Sequence, residues 1–105
     1  MKTLIINGSP RPNGNTVALL RELRNHLEGE IIEISAFYSG IAPCIDCRGC
    51  WKTAQCVVHD GMDGIYGDDF DIVGIASPDY FGTMPGAMLN LLSRMQPWIV
   101  ATHFL

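Results

Sequence analysis

Hydrophobic and polar residues along this chain form blocks that predict three β-strands, each followed by a helix. Short apolar runs at 4–6, 31–34 and 70–76 have the length and composition of buried strands. Leucines at helical spacing predict a helix over 16–27, and apolar residues on one face predict another over 87–95. A shorter helix is expected over 60–66, with Asp60 as its N-cap. The apolar residues at 99–101 suit the start of a fourth strand.

This alternation predicts an α/β fold with parallel strands and right-handed crossovers. The nearly continuous apolar run at 70–76 indicates a third strand that is buried on both faces. Ligands of such open sheets bind at the carboxyl ends of the strands. With the strands in the order 2-1-3, the loops at 7–16 and 77–85 flank one crevice.

Composition narrows the function classes. The 105 residues make one domain, which is globular because 48% are hydrophobic and 17% are charged. The net charge of −4 argues against a nucleic-acid partner. No apolar run approaches the roughly 20 residues of a membrane span, and the N-terminus lacks the pattern of a signal peptide. We therefore expect a cytoplasmic protein whose four cysteines are reduced thiols, metal ligands or redox groups.

The loop at 7–16 joins the first strand to the first helix and is rich in small polar residues. Gly8 and Gly14 allow the backbone to approach a ligand closely, and Arg11 brings a planar cation. The free N–H groups of the following helix point into the same space, which favours a phosphate site. Neither GxGxxG nor GxxxxGK[ST] occurs here, so a terminal phosphate monoester suits the loop better than a metal-bound triphosphate. The alternative is a β–α connection that needs these residues only for its turns.

The loop at 77–85 places two aromatic residues between Pro78 and Gly82, which suits a flat heteroaromatic ring or simply covers the end of the sheet. Taken together, the two loops resemble those of the NADPH-dependent FMN reductase family, within the flavodoxin-like superfamily. Gly8-Ser9-Pro10-Arg11 and Asn13-Gly14-Asn15-Thr16 resemble its phosphate loop, and Ser77-Pro78-x-Tyr80-Phe81-Gly82 resembles its flavin-ring loop. Ser93-Arg94 resembles the Asp-Arg that often ends the next helix of the family.

The resemblance implies a flavodoxin-like three-layer sandwich, FMN as cofactor and NAD(P)H as electron donor. Because hydride acceptance needs one face of the flavin ring open, a second subunit is expected to complete the site in a homodimer or a higher homo-oligomer. It implies that the phosphate is held by Ser9, Arg11, Asn13, Asn15 and Thr16. It implies that the ring is lined by Pro78, Tyr80, Phe81, Gly82 and Thr83. Members of the family usually continue for two more strands, so residues 1–105 are interpreted as a single flavodoxin-like domain that is incomplete at its C-terminus.

The segment at 35–56 lacks a regular apolar pattern and is predicted to be a long, functional loop, and it carries four cysteines. Cys44, Cys47, Cys50 and Cys56 have a spacing that can ligate one [4Fe–4S] cluster, and they resemble the compact cysteine cluster of iron–sulfur flavoproteins. Three other interpretations stay open: a zinc site that includes His59, a redox-active CxxC pair, or structural thiols.

The favoured function is an oxidoreductase in which FMN passes electrons from NAD(P)H to a second acceptor. The flavin carries the chemistry, so no catalytic side chain is expected. One alternative is an electron-transfer protein in which a [4Fe–4S] cluster supplies electrons to FMN, with no nicotinamide step. The other is a non-enzymatic flavodoxin-like remnant. No membrane and no nucleic acid are expected among its partners.

Overall fold

A computed structural model describes residues 1–98 of the chain. The strands β1 (Lys2–Asn7), β2 (Glu30–Ser35) and β3 (Ile72–Ala76) form one parallel sheet in the order β2-β1-β3. This confirms the predicted α/β class and strand order, with β1 at the centre of the sheet and its Leu4, Ile5 and Ile6 fully buried. The expected start of a fourth strand at 99–101 lies outside the described residues.

The helices are α1 (Asn15–Arg24), α2 (Cys50–Thr53), α3 (Met62–Tyr66) and α4 (Gly86–Ser93). The short helix α2 lies within the segment that the sequence predicts to be a loop. The N-cap of α3 is Gly61 rather than Asp60. The Asp60 carboxylate nevertheless accepts the N–H of Met62 at 3.0 Å, so it satisfies one amide of the first turn.

Helices cover the sheet on both faces. On one face α3 and α4 bury their apolar residues against β1. On the other face Leu20 of α1 is buried, and Leu23 lies against Gly74 of β3. The core cluster on the first face comprises Leu4, Ile6, Ala36, Met62, Ile65, Met88 and Leu91. This helix–sheet–helix arrangement is the three-layer sandwich that the sequence predicts.

The predicted burial of the third strand on both faces is wrong for the described part of the chain. Ile72, Val73 and Ile75 are 37%, 42% and 49% exposed. The reason is that β3 pairs only with β1 and lies at an edge of the sheet, with no neighbour among residues 1–98 on its outer side. No helix in this range is long and apolar enough to cross a membrane.

Candidate functional site

The loop after β1 is held in a tight turn by its own polar groups. The Asn7 side-chain oxygen accepts the N–H of Ser9 at 3.0 Å, and the Ser9 hydroxyl accepts the N–H of Arg11 at 3.1 Å. From the β2 side, the Tyr38 hydroxyl donates to the carbonyl of Pro10 at 2.7 Å. These contacts fix the loop ahead of α1, so its conformation is set before any ligand binds.

Gly8 brings this loop close to the end of β3. Its N–H donates to the carbonyl of Ala76 at 2.8 Å. A Cβ at position 8 would lie 2.5 Å from Met88 Cε and 3.0 Å from the Ala76 oxygen, so only glycine allows this approach. The loops that follow β1 and β3 are therefore neighbours at the carboxyl edge of the sheet, as the strand order predicts.

The residues predicted to hold a phosphate share this edge, although they differ in exposure. Ser9 is buried and its hydroxyl is engaged within the loop, whereas the Arg11 side chain is exposed. Within residues 1–98 the Arg11 guanidinium has no carboxylate partner. Gly14, the N-cap of α1, offers no side-chain cap, and the first turn of α1 carries no acidic residue. Uncapped amides beside an unpaired cation can bind an anion. Of the other residues predicted to hold the phosphate, Asn13 and Asn15 are exposed and Thr16 is partly buried.

The loop after β3 ends in a two-residue turn. Tyr80 and Thr83 form an isolated antiparallel bridge, with N–H···O distances of 2.7 and 3.0 Å. Phe81 and Gly82 between them have φ values of 52° and 76°, as in a type I′ turn. The Phe81 ring is fully exposed and the Tyr80 ring is 43% exposed. Two uncovered aromatic rings at the same edge of the sheet as the loop at 7–16 can stack on a flat ring.

The four cysteines converge on one cavity, which they line together with Ser93 and Arg94. Cys50 is buried and Cys56 partly so, while Cys44 and Cys47 are exposed, and all four are free thiols. Burial and the charges of the other three cysteines raise the pKa of the Cys50 thiol. The structure thus places all four cysteines around one cavity, and their role as ligands stays a prediction.

Backbone conformation around the cysteines is unusual. Asp46, Arg48 and Ala54 have φ values of 54°, 60° and 60°, in the left-handed region that costs an L-residue roughly 1–2 kcal/mol. The N–H of Asp46 donates to Cys44 Sγ at 3.4 Å. Strained backbone of this kind is concentrated at ligand sites.

The four cysteines are not arranged around a single point in the part of the chain that the structure describes. In the described part of the chain no group of three or more His, Cys, Asp or Glu side chains is arranged to hold a metal ion. His59 does not line the cavity, and its Nδ1 lies 3.2 Å from Asp63 Oδ2. A cluster binds each thiolate through a different iron, so its ligands surround a volume instead of meeting at one point.

Both ends of the cysteine segment are held by an ion pair that we call the Arg94–Asp60 clasp. Arg94, at the end of α4, is 1% exposed. Its Nη1 donates to Asp60 Oδ2 at 2.7 Å and to the carbonyl of Ala42 at 3.0 Å. Its Nη2 donates to Asp60 Oδ1 at 3.2 Å and to the carbonyl of Val58 at 3.0 Å. The clasp therefore joins the residues just before Cys44 to those just after Cys56.

Electrostatics strengthen the clasp. The hydrogen bond from Arg94 lowers the pKa of Asp60 to about 2, against the opposing effect of burial. Burial alone would lower the pKa of Arg94, but Asp60, Tyr66 and Cys56 together raise it. Tyr66, whose hydroxyl donates to the Arg94 carbonyl, has its pKa raised to about 12, chiefly by burial. At neutral pH the clasp is fully charged.

Sequence reasoning names Asp60 only as an N-cap and Arg94 only as part of a family resemblance, and it does not predict that the two residues pair. Ser93 also contributes, because its hydroxyl accepts the N–H of Cys44 at 3.0 Å. The available signal is an arginine directly after an apolar helix face, where a charge is buried only if it is paired. Its partner Asp60 lies 34 residues away, so local pattern does not reveal the pair.

A comparison with protein-family models matches residues 1–102 to the model described as NADPH-dependent FMN reductase. The chain belongs to the NADPH-dependent FMN reductase family. Its fold is accordingly flavodoxin-like. No solved structure gave a significant match.

Curated relatives of this FMN reductase family member are named iron–sulfur flavoproteins. One from Methanocaldococcus jannaschii is 37% identical over 102 residues, which is 92% of this chain and 53% of the relative. One from Archaeoglobus fulgidus is 35% identical over 105 residues, 93% of this chain and 47% of the relative. One from Clostridioides difficile is 33% identical over 118 residues, 95% of this chain and 52% of the relative. The chain thus spans about half the length of the curated relatives it matches.

Proposed function

We propose that this chain binds FMN and is part of an oxidoreductase. In this oxidoreductase FMN passes electrons from NAD(P)H to a second acceptor. The observation that carries the proposal is the contact between Gly8 and Ala76. This contact brings the loop that holds Arg11 and the uncapped start of α1 to the same edge of the sheet as the exposed aromatic turn after β3. Family membership supports FMN, and the family's name supports NADPH as donor.

The residues present fit the cofactor. Arg11, Asn13, Asn15 and Thr16 would hold the phosphate with the first-turn amides of α1, and Ser9 would support them by fixing the loop. Pro78, Tyr80, Phe81, Gly82 and Thr83 would line the ring. Bound FMN supplies the electron-accepting isoalloxazine, and the chain positions it and covers part of it.

We also propose that Cys44, Cys47, Cys50 and Cys56 hold a [4Fe–4S] cluster. The supporting observations are that all four line one cavity and that the relatives are named iron–sulfur flavoproteins. The clasp and Ser93 would keep the thiolates in place, and the cluster supplies one-electron transfer. Under this second proposal the cluster is the electron source for FMN.

The test begins with protein purified under anaerobic conditions. We expect a flavin spectrum after incubation with FMN, and oxidation of NADPH or NADH when an acceptor is present. The affinity for FMN should be at least about tenfold above that for riboflavin, because a charge-assisted contact to the phosphate is worth roughly 1.5–3 kcal/mol. Equal affinities for the two flavins would contradict the phosphate site. A colourless protein that binds neither flavin would favour the non-enzymatic remnant.

Iron and sulfide analysis of the same preparation tests the cluster. We expect close to four irons and four sulfides per chain. A protein that contains neither and titrates four free thiols would contradict the cluster without affecting FMN binding.

A homodimer and a cytoplasmic location are further proposals. The exposed apolar residues Ile72, Val73 and Ile75 support association along β3. Analytical ultracentrifugation over a range of protein concentrations tests this association, and Val73→Lys is expected to favour the monomer. A monomer at all concentrations would contradict the homodimer.

A further inference from the structure

The Arg94 side chain leaves one of its five N–H groups unused. Its four terminal N–H groups are taken by Asp60, Ala42 and Val58. Its Nε–H is buried, and it has no acceptor in the part of the chain that the structure describes. A buried donor on a charged group is costly to leave unpaired, so this N–H calls for an acceptor.

The place of Arg94 in the fold points to that acceptor. Arg94, Cys56 and Val58 line the same cavity. Nη2 is bonded to the carbonyl of Val58, two residues beyond Cys56. A neutral cysteine sulfur is a weak hydrogen-bond acceptor, but the bond is stronger when the sulfur is a thiolate and the donor is a charged guanidinium.

We propose that Arg94 donates an Nε–H···Sγ hydrogen bond to Cys56 when that thiolate ligates the cluster, and that it thereby raises the reduction potential of the cluster. The inference rests on the cluster part of the proposed function. Hydrogen bonds to the sulfurs are one of the factors that set iron–sulfur potentials, because they stabilise the more negative, reduced form. Arg94 is thus a positioning residue with an electronic effect, in addition to its part in the clasp.

Three variants separate the two effects. Arg94→Lys keeps the positive charge and removes the Nε–H. Arg48→Lys is the matched control, because Arg48 lines the same cavity but is exposed and directs its Nε to Asp46. Asp60→Asn weakens the clasp, keeps the Arg94 Nε–H and removes a nearby negative charge, so its midpoint potential is expected to be no lower than that of the wild type.

The midpoint potential is measured by dye-mediated titration of the anaerobic protein, followed by the electron paramagnetic resonance of the reduced cluster. We expect Arg94→Lys to lower the equilibrium constant for one-electron reduction at least tenfold, about 59 mV. Arg48→Lys is expected to change it less than twofold. Equal potentials for the wild type and Arg94→Lys, at full iron content, would overturn the inference and leave the cluster proposal intact.

A measurement on the wild type covers the case in which Arg94→Lys loses its cluster. Protein labelled with ¹⁵Nε-arginine should show a ¹⁵N coupling to the reduced cluster in pulsed paramagnetic resonance, and Arg48→Lys should retain it. No coupling from labelled wild type would overturn the inference. Wild-type protein without iron and sulfide would overturn both the inference and the cluster proposal, whereas FMN binding is assayed separately.

Discussion

The Arg94 guanidinium bonds to both carboxylate oxygens of Asp60, with Nη1–Oδ2 at 2.7 Å and Nη2–Oδ1 at 3.2 Å. The same carboxylate accepts the N–H of Ala42 at 3.0 Å. One ion pair therefore fixes both ends of the segment that carries the cysteines. Its loss affects the stability of the fold and the geometry of the cysteine cavity together.

Removal of the acidic partner should be strongly destabilising. Asp60→Ala leaves the Arg94 charge buried without its counterion, and breaking a buried pair in this way costs about 3–5 kcal/mol. Urea unfolding at pH 7 measures the change in free energy. Asp63→Ala is the matched control, because Asp63 pairs with the exposed His59 and such surface pairs are worth less than about 1 kcal/mol. Similar losses for the two variants would show that the clasp is no stronger than a surface pair.

The clasp also predicts how stability depends on pH. Asp60 has a pKa of about 2 in the folded protein, below its ordinary value of 3.8. A carboxyl group whose pKa is lowered by folding stabilises the protein above the unfolded pKa, and this contribution disappears as the pH falls from about 4 to about 2. The shift corresponds to roughly 2 kcal/mol.

Unfolding free energies of wild type and Asp60→Asn, measured from pH 7 down to pH 2, test this. We expect the advantage of the wild type to be constant above about pH 5 and to shrink below pH 4. A difference that does not change with pH would mean that the Asp60 carboxylate is not the group that titrates.

The sheet was predictable from sequence because its signals are local. Apolar runs mark the strands, and turn residues such as Gly8 mark the loops at their carboxyl ends. Burial of β3 was not predictable in the same way. An apolar strand shows that it suits a covered position, whereas the exposure of Val73 depends on which other elements lie beside it.

Two glycines give a contrast that tests the turn after β3. Gly82 has a φ of 76°, so Gly82→Ala should destabilise the protein by roughly 1–2 kcal/mol even though no atom lies within 4 Å of the added Cβ. Gly86 is the first residue of α4 and also has open space, so Gly86→Ala should stabilise it by up to about 1 kcal/mol. Thermal unfolding of both variants measures the two effects, and changes of the same sign would contradict the positive φ at position 82.

The site residues divide along similar lines. The spacing of the cysteines and the chemistry of the loop at 7–16 can be recognised in the sequence, because the residues involved are close together along the chain. The Arg94–Asp60 clasp joins residues 34 positions apart and follows no periodicity. Only the folded chain shows that the helix end and the cysteine segment meet there.

The proposed phosphate site leads to a prediction that uses two flavins and two arginines. Arg11 is exposed and has no carboxylate partner among residues 1–98, so its charge is free to bind the FMN phosphate. Arg11→Ala should weaken FMN binding about tenfold or more, since a charge-assisted hydrogen bond contributes roughly 1.5–3 kcal/mol. Riboflavin lacks the phosphate, so its affinity should hardly change.

Arg21→Ala is the control, because Arg21 lies in the last turn of α1, away from the positive end of the helix, and should leave both affinities as they are. Fluorescence titration with each flavin gives the affinities. Equal losses of FMN and riboflavin in Arg11→Ala would show that Arg11 acts on the ring or on the loop, and not on the phosphate.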